Sequence, residues 1–331
     1  MRICIYGAGA IGGLLGARLV QAGEDVTLIA RGPHLAAIRE QGLTVTSSGE
    51  AITVRPRATG KPEEAREQDF VIVALKANAV PGIAAQMLPL LGPDTAVVMA
   101  VNGVPWWYFY GVEGPYRDRR LKSLDPEDRL WTMIGPQRTI GCVVYPAAEM
   151  IAPGHIQHTD GDRFSLGEPD GQRSERVLAL SRALMAAGLK APVKTGIRSE
   201  IWVKLLGNAV FNPISALTGA TLQAICENPG TAQLARTVMR EVELVANALG
   251  VGMPVSLDRR MAGASAIGEH KTSMLQDLEK GRPLELDAIV AAVIELAEIT
   301  EVAVPRLQEL YALTRLLAET SPSDARSLHQ R

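Results

Sequence analysis

The sequence predicts a two-part α/β protein: a doubly wound parallel sheet over residues 1–195, then an all-α domain over residues 196–331. Three observations carry this. The glycine-rich segment Gly7-Ala8-Gly9-Ala10-Ile11-Gly12 directly follows a short apolar run and opens a helical stretch. The runs FVIVAL (70–75) and AVVMAV (96–101) are continuously apolar, as strands buried on both faces of a parallel sheet must be. From about residue 196 the strand-like runs stop and helical periodicity takes over.

In chain order, Ile3 to Tyr6 is expected as a strand, Ile11 to Ala22 as a helix stopped by Gly23, and Val26 to Ala30 as the second strand. Val80 to Leu91 is expected as a crossover helix between the two long apolar runs. Ile140 to Val144, Ile156 to Thr159 and Phe164 to Leu166 read as later, shorter strands. Residues 106 to about 137 break the alternation with a segment dense in aromatics and balanced charge, including Trp106, Trp107, Tyr108, Phe109, Tyr110 and Trp131. That composition predicts an ordered insertion or lid rather than a disordered linker. Ala191-Pro192 to Gly196 is the expected junction. Beyond it, Ile197 to Leu217, Leu222 to Cys226, Thr231 to Leu249, Thr272 to Glu279, Leu286 to Ile299 and Val304 to Thr320 read as helices, with Gly250 and Gly281 as stops. The polar tail after Pro322 is expected to fray.

Composition narrows the classes. The chain has 331 residues, 47% hydrophobic and 21% charged, as in a soluble globular protein with room for two cores. Its net charge of -2 provides no basic field for nucleic acid. No segment is long and apolar enough for a membrane span. The apolar run Ile3 to Ala17 behind Arg2 imitates a signal peptide, but its glycines fit a turn and helix better. The three scattered cysteines, Cys4, Cys142 and Cys226, argue against a disulfide framework and for a reducing cytoplasm. His155 and His158 stand three apart with nothing nearby to complete a metal site, so no metal is expected.

The strand–turn–helix context turns the glycine motif into a dinucleotide-binding prediction of the Rossmann type. Gly7 permits the tight turn, Gly9 admits a pyrophosphate to the backbone, and Gly12 lets helix and strand pack closely. The first helical turn then offers unpaired N–H groups to phosphate. An NAD enzyme usually places an acid at the end of the second strand for the ribose 2′-hydroxyl. Here the edge reads Leu28-Ile29-Ala30-Arg31, and Arg31, 19 residues beyond Gly12, suits a 2′-phosphate instead. NADP(H) is therefore the expected cofactor.

In the second part, IWVKLLGNAVFNPISAL (201–217) is apolar except for Lys204, Asn208, Asn212 and Ser215. The first three are successive i, i+4 neighbours along one side of a helix. Buried amides are costly without partners, so either backbone satisfies them or the stripe lines a wet cleft. By pattern alone, Ser273 or Thr272 reads as a helix cap, and Glu285 and Asp287 as solvated first-turn acids. In the first part, Lys76 and Asn102-Gly103 follow two inferred strands, at the carboxyl edge where doubly wound sheets bind ligands.

These pieces together resemble the ketopantoate reductase family: GAGAIGG at 7–13, Arg31, LKAN at 75–78, NG at 102–103, WVKLLGNAVFNPISALTG at 202–219 and SMLQDLEKGRPLELD at 273–287. The resemblance implies an NADP-binding domain followed by a helical one, and reduction of ketopantoate to pantoate on the route to pantothenate and coenzyme A. By position, Lys204 resembles the catalytic lysine that protonates the carbonyl oxygen, and Glu285 the acid that orients substrate. Asn208, Asn212 and Ser273 match substrate-binding positions, and Lys76 and Asn102 match residues near the cofactor ribose and the reacting carbonyl. Free lysine, with a pKa near ~10.4, is an ammonium by default and holds the proton this step needs. The segment after Asn102-Gly103-Val104-Pro105 is longer than the turn expected in the simplest members, which suggests a paralogous branch and leaves the particular 2-oxo acid open. Another 2-oxo acid reductase, a hydroxy-acid or opine dehydrogenase, and a catalytically silent NADP-binding regulator are the competing readings. Lys204 and Glu285 speak against the regulator, and exposed apolar helix faces leave room for a homodimer.

Overall fold

A computed structural model of the chain describes residues 1–321, so the expectation placed on the tail after Pro322 falls outside the described residues. The chain divides into two compact units, Met1–Ile197 and the part from Arg198 onward.

The first unit is built on a seven-stranded sheet. Its strands are β1 (Arg2–Tyr6), β2 (Asp25–Ile29), β5 (Arg57–Thr59), β6 (Gln68–Val73), β7 (Leu91–Met99), β8 (Thr139–Val144) and β11 (Phe164–Gly167), ordered β11-β8-β7-β6-β1-β2-β5. All neighbours are parallel except β11 on β8. The central strands are apolar on both faces, and Ile3, Ile5, Leu28, Ile72 and Val98 are at most 2% exposed. From β1 the chain winds outward to β2 and β5, then returns to β6 on the other side. The switch point between β1 and β6 is where such sheets bind ligands, beyond the carboxyl ends of the strands.

A second, four-stranded sheet joins β3 (Leu43–Ser47), β4 (Glu50–Val54), β9 (Ala147–Ala152) and β10 (His155–Asp160) in the order β4-β3-β10-β9. The run at Ile156 therefore belongs to this sheet and not to the doubly wound one. Helix α1 (Ala10–Gln21) packs between the two sheets. A Cβ at Gly16 would lie 2.6 Å from Leu28 Cδ2 in β2, and one at Gly13 would lie 2.9 Å from Ile156 Cγ1 in β10. The glycines inside α1 thus let it approach a sheet on each side. Helices α2 (Gly32–Gln41) and α4 (Glu175–Ala186) belong to the same unit.

The crossover helix expected over residues 80–91 is broken. Only α3 (Ala84–Met87) is α-helical, flanked by tight turns at Pro81–Ile83 and Leu88–Leu90. Pro81, Gly82 and Pro89 interrupt the backbone ladder within a dozen residues. The aromatic insertion is ordered, with Trp106, Trp107, Tyr108 and Phe109 each at most 4% exposed. Trp131 meets Trp106 and Tyr110 edge-on at centroid distances of 6.2 Å, and Arg120 stacks over it at 5.5 Å. Asp125 fixes the segment by accepting the backbone N–H of Trp131 at 3.0 Å.

The second unit is helical: α5 (Ile197–Thr218), α6 (Leu222–Glu227), α7 (Pro229–Ala248), α8 (Leu257–Ala266), α9 (Ser273–Glu279), α10 (Ala292–Ile299) and α11 (Pro305–Thr320). Side-chain caps start several of them; Asn228 accepts from Gly230 and Thr231 at α7, and Ser256 from Arg259 at α8. Among the described residues, no helix is long and apolar enough to cross a membrane.

Candidate active site

The turn after β1 is held from two sides. The N–H groups of Gly7 and Ala8 both donate to the carbonyl of Ile29, at 3.2 and 3.0 Å, which pins the loop to the end of β2. Gly7 has φ +103°, and a Cβ there would lie 2.9 Å from the carbonyl oxygen of Ala74. A Cβ at Gly12 would strike the carbonyl oxygen of Gly7 and come within 2.9 Å of Ile5 Cγ2. Gly9 differs: a Cβ there would meet nothing within 4 Å. Gly7 and Gly12 therefore serve the fold, while Gly9 leaves its side of the turn open. Gly9 is also the N-cap of α1, with no side-chain cap and no acid in the first turn. The N–H groups of Ala10, Ile11 and Gly12 thus begin a helix whose positive end faces no protein carboxylate of its own turn. These features fit a pyrophosphate.

Arg31 is the N-cap of α2, immediately beyond β2. It is exposed, its side chain makes no hydrogen bond or ion pair with any described residue, and no acid stands at that strand end. That donor set fits a 2′-phosphate and offers nothing to accept from a 2′-hydroxyl. Val73 and Met99 are register partners in β6 and β7. Lys76 and Asn102 each lie three residues beyond them, so both sit half-buried on the same carboxyl edge. Gly103, with φ +96°, makes the turn after Asn102.

One contributor to this edge has no signature in the sequence. His34, in the first turn of α2, has its Nε2 2.6 Å from the carbonyl oxygen of Ala8, while its Nδ1 accepts the N–H of Gly154 at 2.9 Å. Accepting at Nδ1 places the imidazole proton on Nε2, which donates to Ala8. His34 thereby ties the glycine turn to the helix that carries Arg31. A lone histidine on an unanticipated helix gave no periodicity to find it by.

In the second unit, Lys204 and Asn208 are half-buried on α5, and Asn212 is 4% exposed. The Asn212 amide nitrogen Nδ2 is buried and has no hydrogen-bond partner among the described residues. Backbone therefore does not satisfy the whole stripe, and an unpaired buried amide is retained at a cost. Ser215 is separate from this function, since its hydroxyl donates to the carbonyl of Ala220 at 2.6 Å near the helix end.

The two acids that looked alike in sequence part company. Asp287 is half-exposed beside Arg315 at 3.4 Å, whereas Glu285 is only 6% exposed. Glu285 lies two residues before a π-helical turn, Asp287–Ala291, that leads into α10, a distortion frequent at functional sites. At α9 the cap is Thr272, whose hydroxyl accepts from Leu275 at 3.3 Å, so Ser273 keeps an exposed hydroxyl.

The remaining candidates are structural. His155 and His158 lie on a strand, where an odd separation turns side chains to opposite faces; they bond to Thr46 and Ser47 of β3, at 2.8 and 2.9 Å. Cys4, Cys142 and Cys226 form no disulfide with one another, and burial pushes Cys4 up to about 12.

A glycine turn at the switch point of a doubly wound sheet, followed by a separate helical unit, defines a Rossmann-type dinucleotide-binding protein of the two-domain oxidoreductase kind. Residues 3–171 match the family model for ketopantoate reductase PanE/ApbA, and residues 196–318 match the model for its C-terminal part. The chain belongs to the ketopantoate reductase family, as its motifs implied. It is 54% identical over 319 residues to the 2-dehydropantoate 2-reductase of Mesorhizobium japonicum, covering 96% of this chain and 98% of that one. Among solved structures, a ketopantoate reductase homologue from Ralstonia solanacearum MolK2 superposes with a TM-score of 0.92 at 42% identity, covering 97% and 98% of the two chains. The 2-dehydropantoate 2-reductase of Geobacter metallireducens GS-15 gives 0.84 at 30% identity, covering 96% and 99%.

Proposed function

We propose that this chain is an NADPH-dependent 2-dehydropantoate 2-reductase, acting in pantothenate formation. Residues 1–195 would bind the cofactor and residues 196–331 the 2-oxo acid. The single observation that carries the reading is the Lys204, Asn208, Asn212 stripe, with its buried, unpaired Asn212 amide. A helix that served packing alone would have no use for that cost.

The roles follow from chemistry. The turn Gly7-Ala8-Gly9-Ala10-Ile11-Gly12 would take the pyrophosphate on backbone N–H groups, and Arg31 the 2′-phosphate. Lys76 and Asn102 would hold the ribose and the nicotinamide end. When bound, the reduced cofactor supplies the hydride. Lys204 would donate its ammonium proton to the carbonyl oxygen and stabilise the charge developing there. Asn208, Asn212 and Ser273 would hold the rest of the oxo acid, and buried Glu285 would accept from its hydroxyl. Three cysteines without a disulfide among them suit a reducing compartment, the cytoplasm.

The test is NADPH consumption against a panel of ketopantoate and other branched 2-oxo acids, repeated with NADH. Turnover of ketopantoate with a preference for NADPH supports the proposal. Turnover of another acid with none of ketopantoate would sink the specific name.

A further inference from the structure

Helix α5 carries an unexplained glycine beside the proposed proton donor. Gly207 sits mid-helix among bulky apolar residues, where glycine is a poor choice. The structure supplies a reason. A Cβ at Gly207 would lie 2.8 Å from Cζ and 3.0 Å from Nε of Arg260, and closer still to Nη2. Arg260, half-buried on α8, therefore lays its guanidinium against the bare backbone of Gly207, with its Nε fully enclosed.

The helical phase places that contact. At about 100° per residue, Asn208 and Asn212 lie about 40° and 80° to one side of Lys204, and Gly207 about 60° to the other. Lys204 is thus bracketed, with two amides on one flank and a guanidinium on the opposite flank. A 2-oxo acid has its carboxylate one bond from the carbonyl carbon. If Lys204 takes the keto oxygen, the carboxylate needs a partner within one side chain's width, and a guanidinium matches it with two parallel N–H groups.

We propose that Arg260 is the residue that recognises the substrate carboxylate, and that Gly207 is glycine to let it reach. This rests on the reductase reading above and adds to it a determinant for acids over neutral ketones. Position 260 lies outside the motifs that led to the family. The ligand feature it selects is the anionic group, whichever 2-oxo acid carries it.

The test uses the full chain saturated with NADPH and two substrates. One is ketopantoate, or whichever 2-oxo acid the panel identifies. The other is the lactone or methyl ester of the same acid, which keeps the keto group and loses the carboxylate. Arg260→Gln should raise KM for the acid ~10–100-fold, the range expected for a lost charge-assisted pair. It should leave kcat within a few fold, and kcat/KM for the ester and KM for NADPH unchanged. Gly207→Ala should act in the same direction, and the double variant should be little worse than Arg260→Gln alone. Where Arg260→Gln does not fold, Arg260→Lys takes its place, and a loss confined to the acid still supports the proposal. Equal losses on acid and ester, or an unmoved KM for the acid, overturn this inference alone. A wild-type protein that reduces no 2-oxo acid overturns the functional reading, and this inference with it.

Discussion

His34 and Ala8 are joined by a 2.6 Å hydrogen bond that closes the glycine turn against helix α2. The donor is fixed by a second bond, because the Gly154 N–H occupies Nδ1 at 2.9 Å. His34→Ala removes both, each worth about 0.5–1.5 kcal/mol. The expected outcome is a KM for NADPH raised roughly 10-fold with kcat and the oxo-acid KM unmoved. His34→Gln, which keeps a donor at the distal position, should recover part of the loss. A fall in kcat with cofactor affinity intact would remove His34 from this role.

The two glycines of the turn should separate fold from binding. Gly12→Ala drives a methyl into the carbonyl of Gly7, so thermal unfolding should shift down and cofactor affinity should fall with it. Gly9→Ala meets no protein atom within 4 Å, so Tm should stay within a degree or two while NADPH affinity drops at least ~10-fold. Calorimetry and fluorescence titration of NADPH check both. A Gly9→Ala protein that binds normally would place the pyrophosphate elsewhere.

Arg31 is exposed and its side chain makes no hydrogen bond or ion pair with the described residues, so truncating it should cost the fold little. Arg31→Ala should weaken NADPH binding by about 1.5–3 kcal/mol, the value of a hydrogen bond to a charged group, and leave NADH binding unchanged. Competitive titration with the two cofactors reads the difference. Equal loss for both would mean that Arg31 does not meet the 2′-phosphate.

Much of this edge was legible before the structure because glycine spacing and apolar runs report backbone requirements directly. Gly7, Gly12, Arg31 and the runs at 70–75 and 96–101 fall where the pattern placed them. What escaped was decided by contacts distant in sequence. The run at Ile156 pairs with β3 more than a hundred residues away, so its apolar character alone could not assign it to a sheet. The crossover helix expected over residues 80–91 was outweighed by Pro81, Gly82 and Pro89. Helix α8, whose only large apolar residues are Leu257 and Met261, was missed, and with it Arg260. In the candidate site, spacing alone left Glu285 and Asp287 alike and only the family resemblance singled out Glu285; burial separates them physically.

Asn212 offers a test of a cost retained for function. Its amide nitrogen is buried without a partner among the described residues, so Asn212→Leu, nearly isosteric, should leave stability unchanged or raise it by up to ~1–3 kcal/mol. The same change should raise KM for the oxo acid at least several-fold. Denaturant unfolding and steady-state kinetics on one preparation check the pair. A destabilised variant with unchanged KM would make Asn212 a structural residue.

The most direct test of the central claim is the steady-state rate of ketopantoate reduction by wild-type protein and by Lys204→Ala at saturating NADPH. The account predicts turnover in the wild type and a kcat lower by ~10²–10⁴-fold in the variant, the range for loss of a positioned proton donor, with NADPH affinity preserved. Full activity in Lys204→Ala would contradict it.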